Sequence, residues 1–309
     1  MSQAVYFLLL PNVLSLDVSG PAETLRLAGQ FSLRYLSPVP QIVCSIGMTL
    51  SGLQPLPERL EDGAILVLPG VGDSQRYFAG EEAEQARRWL ATLRPDLQQQ
   101  RITLVCICSG ALLAAQAGLL DGYQCTTHHD VIERIRRQAP AAQVKENRIF
   151  VEDRGVYTSA GITTGIDLAL HLVHRHCGSG RARDVARDMV VYFRRAGDDP
   201  QLSPWLRYRN HLHPAVHRAQ DVMAAEPEAD WSVPQVAEKA HVSSRHLARL
   251  FRSHVGISVR EYHEQLRLAV AQQRLQQGYG LEKAALAAGF SSGRQLRRAQ
   301  QRQRQRSPL

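Results

Sequence analysis

Short apolar runs alternate with helical stretches over the first two-thirds of this 309-residue chain, and this alternation limits the possible folds most strongly. Three of the runs are 4–10 (AVYFLLL), 64–70 (AILVLPG) and 102–108 (ITLVCIC). Continuous apolar runs of this length are typical of parallel strands that are buried on both faces. Because helical stretches separate them, the pattern predicts an α/β sandwich with helices packed on a mostly parallel sheet.

The alternation stops in the segment 194–214, which contains three prolines, a glycine and two aspartates. Such a composition is typical of a linker. Beyond this segment the strand patterns end, and the sequence indicates helices joined by short turns. We therefore predict an α/β domain over residues 1–195, a linker over 196–213 and an all-α domain over 214–309.

The charge of the chain is concentrated in its last third. Residues 1–210 contain 22 Lys and Arg against 21 Asp and Glu, whereas residues 211–309 contain 15 against 8. Nearly all of the net charge of +8 therefore belongs to the all-α domain. A basic terminal domain beside a near-neutral one indicates a polyanionic partner, and a solvated basic tail is the alternative.

The stretch 231–262 of the basic domain has the pattern of a helix-turn-helix. A short helix ends at a turn, and a second helix begins after Ser243, a suitable N-cap. One face of the second helix is apolar, and another carries Arg245, Arg249 and Arg252. Because arginine pairs bidentately with guanine or clamps a phosphate, this face predicts contact with double-stranded DNA. A helical hairpin with a solvated face is the alternative.

The pattern recurs further along the chain, where Arg294 and Arg298 occupy the positions that Arg245 and Arg249 have in the first copy. Two helix-turn-helix motifs are therefore predicted. The candidate DNA-contacting residues are Arg245, His246, Arg249, Arg252, Arg294, Arg297 and Arg298.

Three motifs of this domain carry a family resemblance: 247–258 (LARLFRSHVGIS), 265–275 (QLRLAVAQQRL) and 284–292 (AALAAGFSS). They resemble the AraC/XylS DNA-binding domain, which implies that each recognition helix enters one of two successive major grooves. The second copy departs from the family at Gln300, Arg304 and Gln305, where the family usually has aromatic residues and a glycine. The end of the last helix is therefore expected to fray.

The stretch 104–122 (LVCICSGALLAAQAGLLDG) begins as a strand and ends as a helix, with Cys108 at the junction. This arrangement is that of a nucleophile elbow. Together with 16–25, 117–129 and 158–173, it resembles the PfpI/ThiJ superfamily, and most closely its GlxA-type branch, in which such a domain is fused to an AraC-type domain. The resemblance implies a flavodoxin-like three-layer sandwich that forms homodimers.

The elbow suggests a reactive thiol, because a helix N-terminus lowers the pKa of a cysteine. Cys106, two residues earlier on the strand, is expected to point to the same face as Cys108. Hydrolytic relatives have a histidine directly after the cysteine, but this chain has Ser109, which argues against an enzyme. By the resemblance, the ligand-binding candidates are Asp17, Glu23, Cys108, Ser109 and His128, whose neighbour His129 replaces the tryptophan of the family motif.

Each of these candidates also has a structural interpretation. Cys108 is then a buried core cysteine, Asp17 a turn-capping residue and His128 a structural hydrogen-bonding residue. Five cysteines without metal-ligand spacing fit a reducing cytoplasm, and we expect no metal, no cofactor and no membrane span.

We therefore interpret the chain as a cytoplasmic transcription regulator with a DNA-binding domain and a sensor domain. The resemblance implies a small-molecule effector, in the class of amino acids, betaines or related nitrogen compounds, and RNA polymerase as a partner. Two alternatives stay open: a cysteine-dependent hydratase or amidase with an accessory DNA-binding domain, and a thiol-based redox sensor.

Overall fold

The computed structural model describes residues 2–191, 196–197, 208, 211, 213–276 and 278–306. The chain divides into two compact units, Met1–Gln201 and Leu202–Leu309. Most of the linker predicted at 196–213 lies outside the described residues. Among the described helices, none is both long and apolar enough to span a membrane.

The first unit is built on a six-stranded sheet with two small two-stranded sheets beside it. Its strands are β1 (Gln3–Leu8), β2 (Phe31–Leu36), β3 (Gln41–Val43), β4 (Thr49–Ser51), β5 (Ile65–Leu68), β6 (Thr103–Ile107), β7 (Gln124–Cys125), β8 (Gln143–Val144), β9 (Phe150–Asp153) and β10 (Val156–Ser159). The main sheet has the order β2-β1-β5-β6-β10-β9, and only β9 runs antiparallel to its neighbour.

Helices cover both faces of this sheet. They are α1 (Ser15–Ala28), α2 (Ser74–Tyr77), α3 (Glu81–Thr92), α4 (Arg94–Gln98), α5 (Gly110–Gln116), α6 (Ile132–Gln138) and α7 (Thr164–Asp188). Helices α1 and α7 enclose one apolar core, and α3, α5 and α6 enclose the other. Helix α7 is interrupted at Gly178, which has non-helical backbone angles.

The five parallel strands have the order 2-1-3-4-5 when they are counted along the chain. This is the flavodoxin-like order, in which ligands bind outside the carboxyl ends of the strands. The predicted three-layer α/β fold is therefore confirmed. It gathers the segments that follow β1, β5, β6 and β10 along one edge of the sheet.

The second unit is entirely helical in its described part. Its helices are α8 (Pro214–Ala225), α9 (Val233–Lys239), α10 (Ser244–His254), α11 (Val259–Gln276), α12 (Leu281–Ala287) and α13 (Gly293–Arg306). Helix α11 connects two small cores, because Tyr262 and Leu266 belong to one and Leu268 and Ala271 to the other. Helices α9 and α10 form the first helix-turn-helix, and α12 and α13 form the second.

The end of the last helix differs from the sequence expectation. We expected fraying after Leu296 and Ala299, but α13 continues to Arg306. Polar contacts replace the missing apolar ones, since Arg302 forms an ion pair with Glu264 of α11 at 2.7 Å. The side chain of Gln303 also donates a hydrogen bond to Gln265, at 2.7 Å. These contacts hold the helix against α11 without aromatic side chains.

Candidate functional site

Cys108 lies at a sharp turn between β6 and α5 with φ at +55°, a conformation that costs energy in a residue other than glycine. Its N–H donates to the carbonyl of Ser159, and its carbonyl accepts from the Thr127 hydroxyl at 2.7 Å. The turn also needs Gly110, because a Cβ there would lie 1.9 Å from the Leu68 carbonyl oxygen. The sequence prediction of a strand-to-helix elbow with Cys108 at the junction is confirmed.

The fully buried carboxylate of Asp17, in the first turn of α1, connects three segments at this edge of the sheet. Its Oδ2 accepts the N–H of Gly70 after β5 at 3.1 Å, and its Oδ1 accepts the N–H of Ile162 after β10 at 2.9 Å. We call Asp17, Gly70 and Ile162 the clasp. Asp17 therefore joins distant loops and does not cap a local turn.

Burial raises the pKa of Asp17 to about 6, although the hydrogen bonds from Gly70 and Ile162 act to lower it. The charged carboxylate therefore makes the folded state less stable. The folded pKa of Asp17 is above the unfolded value of about 3.9, so the neutral carboxyl contributes stability to the folded state. This contribution is fully present below pH ~4 and is lost as pH rises through ~6.

Replacing the clasp carboxyl by an amide tests this pH dependence. In Asp17→Asn the amide nitrogen cannot accept an N–H, so at pH 4 the variant should be less stable than wild type by about 1–3 kcal/mol. Between pH 4 and 7.5 the wild-type advantage should shrink by about 2 kcal/mol, because only wild type ionises there. Urea unfolding of both proteins at several pH values measures the difference, and a constant difference would contradict it.

The thiol of Cys108 differs from the sequence expectation. We expected the start of α5 to lower its pKa, but burial raises the pKa to about 12, and the negative charge of Asp17 adds to this effect. Only 6% of the residue is exposed. The expectation of a reactive thiolate is therefore wrong for this conformation, because desolvation outweighs the short helix.

The expected shared face of Cys106 and Cys108 is also wrong. Cys106 packs in the core under α3, α5 and α6, whereas Cys108 packs in the core under α1 and α7. The reason is that β6 ends at Ile107, and the positive φ of Cys108 breaks the alternation of the strand. Both cysteines are free thiols.

The other two acidic or hydroxyl candidates have structural partners. The Ser109 hydroxyl accepts the Val71 N–H at 2.9 Å, so it joins the elbow to the loop after β5. Glu23 is exposed and pairs with Arg26 on the same helix. The structure therefore does not bring the exposed Glu23 to the buried Asp17, although the resemblance placed both among the ligand-binding candidates.

His128 precedes a short 3₁₀ turn, His129–Val131, and its Nδ1 accepts the N–H of Asp130. Burial and the neighbouring His129 lower its pKa. Thr127, one residue earlier in the chain, connects this segment to the elbow, because its hydroxyl donates a hydrogen bond to the Cys108 carbonyl. His128 thus belongs to a segment that is attached to the elbow.

Helix α10 shows the amphipathic surface that its sequence predicts. Ser243 caps it by accepting the His246 N–H, and Leu247, Leu250 and Phe251 are buried. On its exposed side the guanidinium of Arg249 contacts His246 Nδ1 at 3.1 Å. The other two arginines, Arg245 and Arg252, are exposed, and Arg252 lies 3.7 Å from Glu261 of α11.

Helix α13 repeats this arrangement. Ser292 accepts the Gln295 N–H at its start, and Leu296 and Ala299 are buried. The three candidate arginines, which are all exposed, are Arg294, Arg297 and Arg298. The structure therefore presents both basic helices with their arginines in solvent.

Sequence reasoning missed the glycines that make the elbow possible. A Cβ at Gly161 would lie 2.1 Å from Cys108 Cβ, and one at Gly70 would lie 2.8 Å from Asp17 Oδ2. Gly161 also has φ at +87°. The signal was present, because each glycine follows one of the parallel strands, where backbone approaches a site closely.

Comparison with known proteins agrees with both halves of the chain. Residues 3–175 match the DJ-1/PfpI family, and residues 236–309 match a helix-turn-helix domain. The HTH-type transcriptional regulator GbdR of Pseudomonas aeruginosa is 29% identical over 94% of this chain and 78% of its own length.

Two further relatives each match about three-fifths of this chain. Isonitrile hydratase of Pseudomonas putida is 31% identical over 59% of this chain and 76% of its own length. The crystal structure of an AraC family transcriptional regulator from Pseudomonas putida superimposes with a TM-score of 0.52 at 22% identity, covering 60% of this chain and 99% of that one. The family match over the α/β domain, the helix-turn-helix match and the regulator relative together identify the chain: it belongs to the DJ-1/PfpI family and is a DNA-binding transcription regulator of the GlxA type, with an AraC-type helix-turn-helix domain.

Proposed function

We propose that the N-terminal domain senses a small molecule and does not catalyse a reaction at Cys108. The observation that carries this proposal is the buried elbow thiol, whose pKa is raised to about 12. A nucleophilic cysteine needs a base or a positive charge that favours its thiolate. Here the adjacent side chain is a serine engaged with Val71, and the nearby Asp17 disfavours the thiolate.

The alternative is a cysteine-dependent hydratase or amidase with an accessory DNA-binding domain. The similarity to isonitrile hydratase favours it, as does the elbow itself. For such an enzyme to act, its elbow cysteine must ionise during turnover, and Cys108 would need a conformation that brings a base to its sulfur.

Assays of turnover and of thiol reactivity separate the two functions. The full chain is expected to convert isonitriles and amides no faster than its Cys108→Ser variant, because the thiol is buried and protonated. For the same reason, iodoacetamide is expected to label the half-buried Cys177 before Cys108. Cys108-dependent turnover above background would support the enzyme instead.

We further propose that the effector binds in a cleft of about 340 Å³ beside the clasp. Ile162 belongs to both, since it lines the cleft and donates its N–H to Asp17. A ligand in the cleft would contact Ile162 and so act on Asp17, and through the segment after β10 it would also act on Cys108 and Ser109. Binding would thereby change the populations of the conformers. The other lining residues are Leu14, Ser15, Leu16, Ser19, Ser45 and Ile46.

The effector class that we propose is amino acids, betaines or related nitrogen compounds, with His128 as a further contact. A thermal-shift screen of the full chain against these compounds tests both class and place. A stabilising compound should lose its shift in Leu16→Ala, which removes part of the cleft wall. A shift that Leu16→Ala leaves unchanged would contradict the cleft as the binding place.

For the DNA-binding domain we propose that α10 and α13 are recognition helices and that the seven candidate residues, six exposed arginines and the half-buried His246, contact DNA. We also propose the division of the chain at 1–195, 196–213 and 214–309. The capped, amphipathic form of both helices supports their role, because it leaves the arginine face free for a groove.

Arg249 and Arg252 should have different effects on sequence choice. Arg249→Ala is expected to weaken a selected duplex by about 1–3 kcal/mol and random DNA much less, because an arginine nearer the helix start meets base edges. Arg252 lies in the last turn beside Glu261, so Arg252→Ala should weaken both duplexes alike. Competition binding on both duplexes measures this, and equal losses for Arg249→Ala would contradict the docking.

We propose that two copies associate through the β3–β4 hairpin of the first domain. Val43 and Met48 are each more than half exposed there, and such grouped apolar surface indicates a protein interface. Sedimentation of the full chain as a monomer at micromolar concentration would contradict the dimer.

We further propose that the regulator acts in the cytoplasm and contacts RNA polymerase. Transcription in vitro with purified polymerase tests this contact.

A further inference from the structure

Three side chains with metal-binding atoms lie together in the segment next to the elbow. One potential ligand atom from each of His128, His129 and Asp130 lies within 4.8 Å of the others. His129 Nε2 is 3.3 Å from Asp130 Oδ1, and His128 Nδ1 is 3.6 Å from Asp130 Oδ2. Two ligands of one tetrahedral zinc ion are about 3.3 Å apart, so the His129–Asp130 separation already fits and the widest separation must close by up to about 1.5 Å.

The backbone explains how three consecutive residues can converge. His128 is the N-cap of the tight 3₁₀ turn, which places the side chains of His129 and Asp130 beside it. The two imidazole rings lie 4.2 Å apart and are inclined by 34°. The Asp130 N–H donates to His128 Nδ1 over a long 3.4 Å, so this nitrogen is unprotonated, and a metal ion bound there would replace this weak hydrogen bond.

The cluster is also accessible to an ion. Three-quarters of the Asp130 side chain is exposed, and within the described part of the chain no Lys or Arg forms an ion pair with it. Arg134, in the first turn of the following helix, does not pair with Asp130, because its guanidinium donates to the Ser74 hydroxyl at 2.8 Å. A metal ion would therefore not have to displace a resident cation.

We propose that His128, His129 and Asp130 bind a divalent transition-metal ion of the zinc class. A set of two imidazoles and one carboxylate suits ions of the zinc class. Mg²⁺ and Ca²⁺ favour sites made of oxygen ligands alone. Three protein ligands leave at least one position for water or for an anionic group of another molecule. The site is attached to the elbow through Thr127, which hydrogen bonds the Cys108 carbonyl. It departs from our sequence expectation of no metal site.

Titration of the full-length chain with Zn²⁺ tests the site. Wild type is expected to bind one ion that His129→Gln and Asp130→Asn each weaken at least about tenfold, because each removes one of three ligands. The matched control is His174→Gln, an exposed histidine on α7, which should leave the affinity unchanged. Unchanged affinity in either ligand variant, with the fold confirmed by circular dichroism, would overturn the proposal.

A second measurement uses the unaltered protein. Diethyl pyrocarbonate modifies accessible imidazoles, and peptide mass spectrometry reports each histidine separately. Zn²⁺ is expected to protect His128 and His129 and to leave His174 as reactive as before. Equal modification of His128 and His129 with and without Zn²⁺ would likewise overturn the proposal.

Discussion

A chain that ends at residue 200 is expected to lose sequence-specific binding to duplex DNA, whereas the full chain keeps it. The basic residues in excess lie beyond residue 210, and both capped arginine helices, α10 and α13, belong to the second unit. Specific binding of regulators is typically ~10³-fold or more tighter than non-specific binding, so the loss should be at least of this size.

The measurement starts from selection of duplexes from a random library by the full chain. Two recognition helices in successive major grooves predict a selected site with two conserved parts about 10 base pairs apart. Log affinity for this site should fall linearly with log salt, because contacts to phosphates release counterions. The shortened chain, checked for its α/β fold by circular dichroism, should retard neither the selected nor the random duplex.

Two results would contradict this expectation. Specific retardation by the folded, shortened chain would move the DNA-binding surface into the first unit. A selected site with only one conserved part would instead indicate that α13 contacts phosphates and that α10 alone reads bases. The matched variants Arg249→Ala and Arg298→Ala distinguish these helices, since they occupy equivalent positions in the two copies.

The sequence predicted the strands that are apolar throughout and missed the others. Strands β1, β5 and β6 are central in the sheet, so both of their faces select apolar residues. Strand β2 (FSLRYL) and strand β9 (FVED) lie at the edges and carry polar residues. Strand β10 is short and ends with Thr158 and Ser159, which are buried although polar, so its pattern resembles that of a loop.

The candidate sites show the same limit. The helix-turn-helix could be predicted to the level of its cap, Ser243, because capping and apolar spacing are local properties of the chain. The thiol pKa of Cys108 could not, because it depends on burial and on Asp17, which is distant in sequence. The partners of Ser109 and Glu23 likewise follow from the tertiary fold or from a competing arginine.

Gly161→Ala is expected to destabilise the N-terminal unit by more than about 4 kcal/mol, which places it among the largest effects of a single substitution. Two penalties combine. The φ of +87° is strained for any residue with a Cβ, and this Cβ would lie 2.1 Å from Cys108 Cβ and 2.7 Å from both its Cα and its Sγ. Neither segment can move freely, because Asp17 holds the following N–H of Ile162.

The control for this substitution is Gly180→Ala in the second part of α7, where a Cβ has no neighbour within 4 Å. Alanine there should raise stability by up to about 1 kcal/mol, because glycine is a poor helix former. Urea unfolding of both variants, followed by circular dichroism, measures the difference. If Gly161→Ala unfolds as wild type does, the close packing of the elbow against the segment after β10 is wrong.

A second substitution identifies the cause of the loss. Cys108→Gly removes the side-chain Cβ and Sγ that an alanine at position 161 would meet, and glycine is also relaxed at the φ of +55° found there. The double variant should therefore be more stable than the sum of the two single losses implies, and this coupling is the signature of a direct clash. Additive losses would instead mean that the backbone strain at Gly161 acts alone, and that the elbow thiol and the segment after β10 do not constrain each other.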